Sequence, residues 1–242
     1  MSRLLPILFN TEMVRAILDG RKTVTRRCVK QKYENTHLEM RTDKYGTRLI
    51  EIQNDVEGET FGKRKDGTTW RKLRGYIEPK PPYQRGDVLY VREAFCPNYF
   101  DEGLAGYRGD GLRGNRTAYK ADYNKATIGD VVPEPKWRPS IHMPKEAARI
   151  WLKVTDVRVE RLREITEEQA KAEGIGEEWA MEWWSPTFND PDSGGYPRYR
   201  DTFVHLWNYT IKKSDLARYG WDANPYVWVV EFERCEKPSM RI

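Results

Sequence analysis

The chain has 242 residues, 38% of them hydrophobic and 12% aromatic, which is ample material for a packed core and places it among globular proteins. Its 42 basic and 37 acidic residues leave a net charge of +5, a mixed surface whose small basic excess favours a nucleic-acid or phosphate partner. No stretch approaches the ~20 consecutive apolar residues that span a bilayer, and the N-terminal residues lack a signal-peptide core and cleavage site, so no membrane partner and a cytoplasmic location are expected.

Asn10 or Thr11 can cap a helix whose Val14, Ile17 and Leu18 share one face, with Gly20 where a left-handed C-terminal residue belongs. Residues 31–80 turn polar and glycine-rich and close on Pro79-Lys80-Pro81-Pro82, an insertion of short hairpins or loop. Gly86-Asp87 then leads into Val88-Leu89-Tyr90-Val91, a core strand apolar on both faces. A glycine-rich loop over 103–116 precedes a strand at Thr117–Ala121. Trp137–Pro144 is expected to be extended, because each proline biases its predecessor away from helix.

Ile150, Leu152 and Val154 alternate on one face while Val157 and Val159 fall in the opposite phase, which predicts one bent strand with a bulge near Thr155-Asp156. Thr166-Glu167-Glu168-Gln169 is a capping-box pattern, and Gly174 marks the end of the helix it opens. After a second insertion at 177–198, Tyr199, Phe203, Leu206 and Trp207 recur at helical spacing, and Tyr226–Phe232 is the clearest strand. Cys28, Cys96 and Cys235 stand singly, which fits neither a disulfide framework nor a zinc ribbon and points to buried thiols.

Chemistry concentrates in Gly20-Arg21-Lys22-Thr23-Val24-Thr25-Arg26-Arg27, where four cations crowd eight residues. In a strand Thr23, Thr25 and Arg27 share one face and Val24, Arg26 and Cys28 the other, so Lys22 meets Thr25 only if it still lies in the turn after Gly20. Mutual repulsion lowers the pKa of a lysine among arginines, which would let Lys22 act as a base toward Thr25. The alternative is a solvated cationic edge or a phosphate patch. Glu173 ends its helix, where a carboxylate costs about 0.3–1 kcal/mol; either solvent absorbs that penalty or a cation such as Lys22 removes it. His142 is a candidate substrate-binding residue whose alternative is a structural hydrogen bond. His37 and His205 lie in unrelated contexts, so no metal site is expected.

Gly20-x-Lys22-x-x-Thr25-x-Arg27 resembles the signature of the ASCH-domain family, supported by Gly86–Leu89, by Val154–Gly174 and by the Tyr226–Phe232 strand in the same order. Trp137–Pro144 and Asn224–Trp228 resemble the longer phage and prophage branch. The resemblance implies an α+β fold, a small PUA-like β-barrel flanked by helices, here as a single domain over 1–242 carrying the two insertions. The commonest form of the signature has glutamate where this chain has Thr25. The threonine is shared with the short bacterial N4-acetylcytidine amidohydrolases, whose pattern Gly-Arg-Lys-Thr-x-Thr-x-Arg this segment matches.

That likeness implies Lys22, Thr25 and Glu173 as a catalytic trio; the cationic segment and the extended segment add Arg21, Arg26, Arg27 and His142 as candidate substrate-binding residues, and no metal or cofactor is expected. The activity expected is hydrolysis of the amide on the exocyclic nitrogen of N4-acylcytidine or cytosine, with a modified nucleoside or nucleobase as partner and RNA as a possible one. The rival readings are a PUA-like module that binds RNA or a modified base without chemistry, and a metal-independent ribonuclease. No oligomeric state is specified.

Overall fold

A computed structural model describes residues 2–33, 36–44, 46–53, 62–63, 69–70, 77–99, 116–123, 135–182 and 198–238. Its strands are β1 (Leu4–Leu8), β2 (Val24–Cys28), β3 (Thr36–Asp43), β4 (Gly46–Gln53), β5 (Gly62–Lys63), β6 (Thr69–Trp70), β7 (Val88–Arg92), β8 (Phe95–Tyr99), β9 (Arg116–Tyr119), β10 (Trp151–Arg161) and β11 (Tyr226–Cys235). The helices are α1 (Thr11–Leu18), α2 (Glu167–Ala172), α3 (Glu177–Glu182), α4 (Tyr199–Thr210) and α5 (Leu216–Tyr219). The fold is α+β.

Five strands form the central sheet in the order β1-β7-β10-β11-β2, with β1 parallel to β7 and the other pairs antiparallel. Among the described residues β1 and β2 are its two edges, so the ladder does not close. The edges nevertheless approach one another, since an Arg27 guanidinium nitrogen donates to Leu8 O at 3.1 Å. The sequence reading does not identify β1, because Pro6 interrupts it. A proline is tolerated there because an edge strand can spare the missing N–H.

The sheet separates two apolar clusters. On one side Ile7, Phe9, Val14, Leu152 and Phe232 pack α1 against it; on the other Val24, Leu162, Ala170, Phe203 and Trp207 pack α2 and α4. Val229 and Val230 fall in opposite clusters, as alternation along β11 requires. The predicted aromatic stripe of α4 therefore is core, with Phe203 and Trp207 buried.

The bulge in β10 occurs between Val154 and Asp156. The capping box opens α2 with both reciprocal bonds, Gln169 N to Thr166 Oγ1 at 3.2 Å and Thr166 N to Gln169 Oε1 at 3.1 Å. In the first insertion β3 and β4 form a hairpin and β5 and β6 a shorter pair; of the loop expected over 103–116 all but Arg116, which opens β9, lies outside the described residues, as do the insertion residues 183–197. The strand expected at Thr117–Ala121 runs over Arg116–Tyr119 and then tightens into a 3-10 turn.

Trp137–Pro144 departs from its expected extended form, with a 3-10 turn at Ser140–His142. Proline constrains only the residue immediately before it, which leaves the residues between Pro139 and Pro144 free to turn. Cys96 is buried, but Cys28 and Cys235 are only half-buried, and all three thiols are free.

Two helix ends meet beside β2. Gly20 follows α1 at φ +76° in a Schellman turn, in which Gly20 N donates to Ile17 O and Arg21 N to Ala16 O. Gly174 follows α2 at φ +98°, and a Cβ there would lie 2.7 Å from Ala16 Cβ and 2.9 Å from Lys22 Cβ. At Gly20 the space is open. Gly20→Ala should therefore cost about 1–2 kcal/mol of unfolding free energy for its backbone alone, and Gly174→Ala about 2–5 kcal/mol because overpacking adds to the same strain. Denaturant unfolding of the two variants checks this, and equal losses would contradict the close approach at Gly174.

Candidate active site

Residues 21 to 23 dock on the C-terminus of α2. Arg21 Nη1 donates to Gly174 O at 2.7 Å, Lys22 Nζ to Glu173 O at 2.7 Å and Thr23 N to Ala172 O at 2.9 Å. Three consecutive residues thus satisfy three consecutive carbonyls that the helix leaves unpaired. The expected compensation at Glu173 is present in this form.

Lys22 lies in the turn after Gly20, before β2 begins, and its side chain is fully buried. Its ammonium donates to Val24 O at 2.9 Å, to Glu173 O and to Glu173 Oε2 at 2.7 Å, which engages all three of its hydrogens. Burial lowers the pKa of Lys22; Glu173 opposes that shift, while Arg27 and Arg26 add to it. The Lys22 nitrogen and the Arg27 guanidinium flank the Phe9 ring, 5.5 and 5.7 Å from its centroid.

Thr25 is buried in β2 opposite Val230 and makes no side-chain hydrogen bond among the described residues. Val24 and Cys28 belong to the α4 side of the sheet, and Arg26 lies over Phe203 on that side. Alternation turns Thr25 and Arg27 the other way, toward the side of the sheet where Phe9 lies. Among the described residues the Thr25 hydroxyl is thus uncommitted and the Lys22 ammonium saturated.

Arg26 was expected to bind substrate, and its side chain is instead wholly buried in an ion network. Nη1 donates to Glu173 Oε1 at 3.2 Å, and Nη2 donates to Gln169 Oε1 at 2.8 Å and lies 3.4 Å from Glu160 Oε2. Its Nε has no partner among the described residues. Glu173 therefore gives one carboxylate oxygen to Lys22 and the other to Arg26. Sequence reasoning missed Gln169 and Glu160; the only signal for Gln169 was its place in the capping box, and one oxygen there accepts from both the helix cap and Arg26.

Arg27 lines an open cleft of about 570 Å³ whose walls also include Lys30, Lys32, Glu51, Tyr83 and Trp228. Burial pushes Glu51 up, but hydrogen bonds from Thr36 and from the Lys32 and Tyr33 amides outweigh it and hold the carboxyl below its usual value. Glu51 thereby fixes the cationic loop at the mouth. Cys28, also in the wall, has its thiol pushed up to about 11 by burial, so it stays protonated near neutrality. Arg21 is bound to Asp19 and Gly174 at the surface. His142 is exposed on its 3-10 turn, with no hydrogen bond or ion pair to Lys22 or Glu173 among the described residues. No group of three or more His, Cys, Asp or Glu residues placed to hold a metal occurs among the described residues.

Two stability measurements test this geometry. Glu173→Gln leaves two buried cations with their shared carboxylate removed and should cost about 3–5 kcal/mol. Because the pKa of Lys22 is lower in the folded than in the unfolded chain, the folded state binds fewer protons between its depressed value and the unfolded ~10.4, and the stability contribution of this group rises with pH in that window. Below the depressed value the penalty of the buried ammonium is present in full. Wild type should therefore gain stability relative to Lys22→Met as the pH rises toward about 10.4, and a relative loss in denaturant unfolding would contradict the depressed lysine.

No protein-family description, characterised protein or solved structure matches this chain at a significant level.

Proposed function

We propose that the chain is an amidohydrolase that removes an acyl group from the exocyclic nitrogen of N4-acylcytidine or cytosine. The observation that carries this reading is the meeting, from 151 positions apart, of a fully buried Lys22 with Glu173, beside the strand β2 that carries Thr25. A buried amine with a depressed pKa, a carboxylate and an unengaged hydroxyl are the parts an acyl transfer needs. The reach of Arg27 on one sheet edge to Leu8 on the other supports the PUA-like barrel reading of the fold. Among the described residues no helix is long and apolar enough to cross a membrane.

In the chemical step neutral Lys22 takes the proton of Thr25 as its oxygen attacks the acyl carbonyl, or of a water that Thr25 orients. Lys22 acts here in its neutral form, with Glu173 Oε2 accepting one of its two remaining N–H groups and so orienting the amine. As the C–N bond breaks, the same proton passes to the leaving exocyclic nitrogen. If Thr25 carries the acyl group, water then releases it as a carboxylic acid. Arg27 faces the cleft, where Tyr83 and Trp228 offer flat apolar surface to a pyrimidine, and on this reading its guanidinium stabilises the oxyanion.

Purified protein should hydrolyse N4-acetylcytidine, and Lys22→Ala and Thr25→Ala should each lower kcat/KM by about 100-fold or more. The rate should rise with pH to an inflection below the ordinary lysine value of about 10.4, since Lys22 must be neutral. Absence of turnover by wild type, or undiminished turnover by Lys22→Ala, removes the proposal.

The cleft supports a second reading, a module that binds RNA or a modified base, because Arg27, Lys30, Lys32 and Lys80 stand beside aromatic walls. On this reading single-stranded RNA binds with an affinity that falls steeply with salt, and Lys30→Ala reduces the salt slope by about 0.7. Salt-independent binding, or none, ends it.

A further inference from the structure

We infer that Arg26 is the positioning residue of this site, holding the Glu173 carboxyl group turned toward Lys22. This rests on the hydrolase reading above. Arg26 falls on a position that the amidohydrolase pattern leaves unspecified, so the resemblance assigns it no role, and its burial removes it from the substrate surface.

An isolated buried lysine–glutamate pair makes a poor base, because loss of the lysine proton strands an unpaired carboxylate in a low-dielectric interior. Attraction between the partners then keeps the amine protonated. Here the carboxylate has a second cation. Arg26 Nη1 contacts Glu173 Oε1 at 3.2 Å while Lys22 Nζ holds Oε2 at 2.7 Å. A guanidinium does not deprotonate in a protein, so Glu173 keeps a permanent partner when Lys22 becomes neutral. The positive charge of Arg26 also disfavours the ammonium form of Lys22 directly.

The charged groups facing Lys22 are Glu173 at the end of α2 and Arg26 and Arg27 of β2, with Phe9 against it on the β1 side. Those facing Arg26 are Glu173 and, from β10, Glu160; Gln169 of α2 holds the fork and Phe203 of α4 lies over it. Glu160 is itself bound by Arg158 at 2.6 Å. The fork is therefore anchored away from Lys22 as well as toward it, which fixes the direction of Glu173.

The test is a pH titration of the Lys22 side chain by carbon-13 lysine NMR in wild type, Arg26→Met and Arg26→Lys, alongside pH–rate profiles for N4-acetylcytidine. Lys22 should titrate below the ordinary lysine range in wild type and move up by about one pH unit in Arg26→Met, with the kcat inflection moving the same way. Arg26→Lys keeps the charge and loses the fork, so the titration should stay near that of wild type while kcat falls and KM changes little.

An Arg26 that merely braces the fold would lower the unfolding midpoint of Arg26→Met and leave the Lys22 titration unmoved; that result overturns the inference. So does an Arg26→Lys titration displaced as far as that of Arg26→Met. If Arg26→Met does not fold, a wild-type Lys22 titrating at or above the ordinary range overturns it equally. Turnover is a separate readout: a shifted titration without wild-type turnover keeps the coupling and ends the hydrolase reading.

Discussion

The structure depends on the seam where residues 21 to 23 take the last carbonyls of α2. A helix C-terminus is a cluster of unsatisfied acceptors carrying a partial negative charge, and a buried one must find donors. Here the donors are an arginine, a lysine and a backbone amide in succession, delivered in register because Gly20 reverses the chain directly before them. The same seam brings α1 so close to Gly174 that a side chain at that position would collide with Ala16 and Lys22. Local turn geometry and long-range packing are one constraint at this point.

Placing charge inside the seam is an expensive way to hold an edge strand. Buried ion pairs seldom exceed in stability the apolar side chains that could replace them, because desolvation offsets most of the Coulomb attraction. The Lys22–Glu173–Arg26 network lies between two apolar clusters, with Phe9 against one cation and Phe203 against another. Among the described residues its hydrogen bonding is complete except at Arg26 Nε. Burial is the main cause that pushes the Lys22 pKa down, and the charges of Arg27 and Arg26 add to it against the opposing pull of Glu173. Arg27, whose charge adds to the lowering of the Lys22 pKa, opens into the cleft.

Elements set by nearest neighbours were legible in the sequence. The α2 capping box, the glycine stops at 20 and 174, the β10 bulge and the α4 aromatic stripe each follow from spacings of a few residues, and each occurs. Elements whose state depends on distant partners were less so. Leu4–Leu8 reads as a broken apolar run until its place at a sheet edge excuses Pro6, and the turn at Ser140–His142 depends on neighbours that the proline rule does not describe. Arg26 shows the same limit within the site. Alternation assigns it correctly to the face opposite Thr25, but a face is not a neighbour, and only the docking of α2 and β10 makes that face an interior.

The sequence by itself therefore determined where helices and strands begin, where they bend, and which residue types stand beside Lys22, because those properties reside in backbone sterics and short-range hydrogen bonds. The anomaly of a carboxylate at the end of α2 was also visible there, as a penalty in want of a cation. Tertiary structure alone decided that the cation is Lys22, that Arg26 shares the carboxylate, and that Arg27 rather than Arg26 reaches the cleft. Burial and charge pairing are set by residues more than a hundred positions away. Solvation, which governs the chemistry of an amine, exists only once those residues have closed around it.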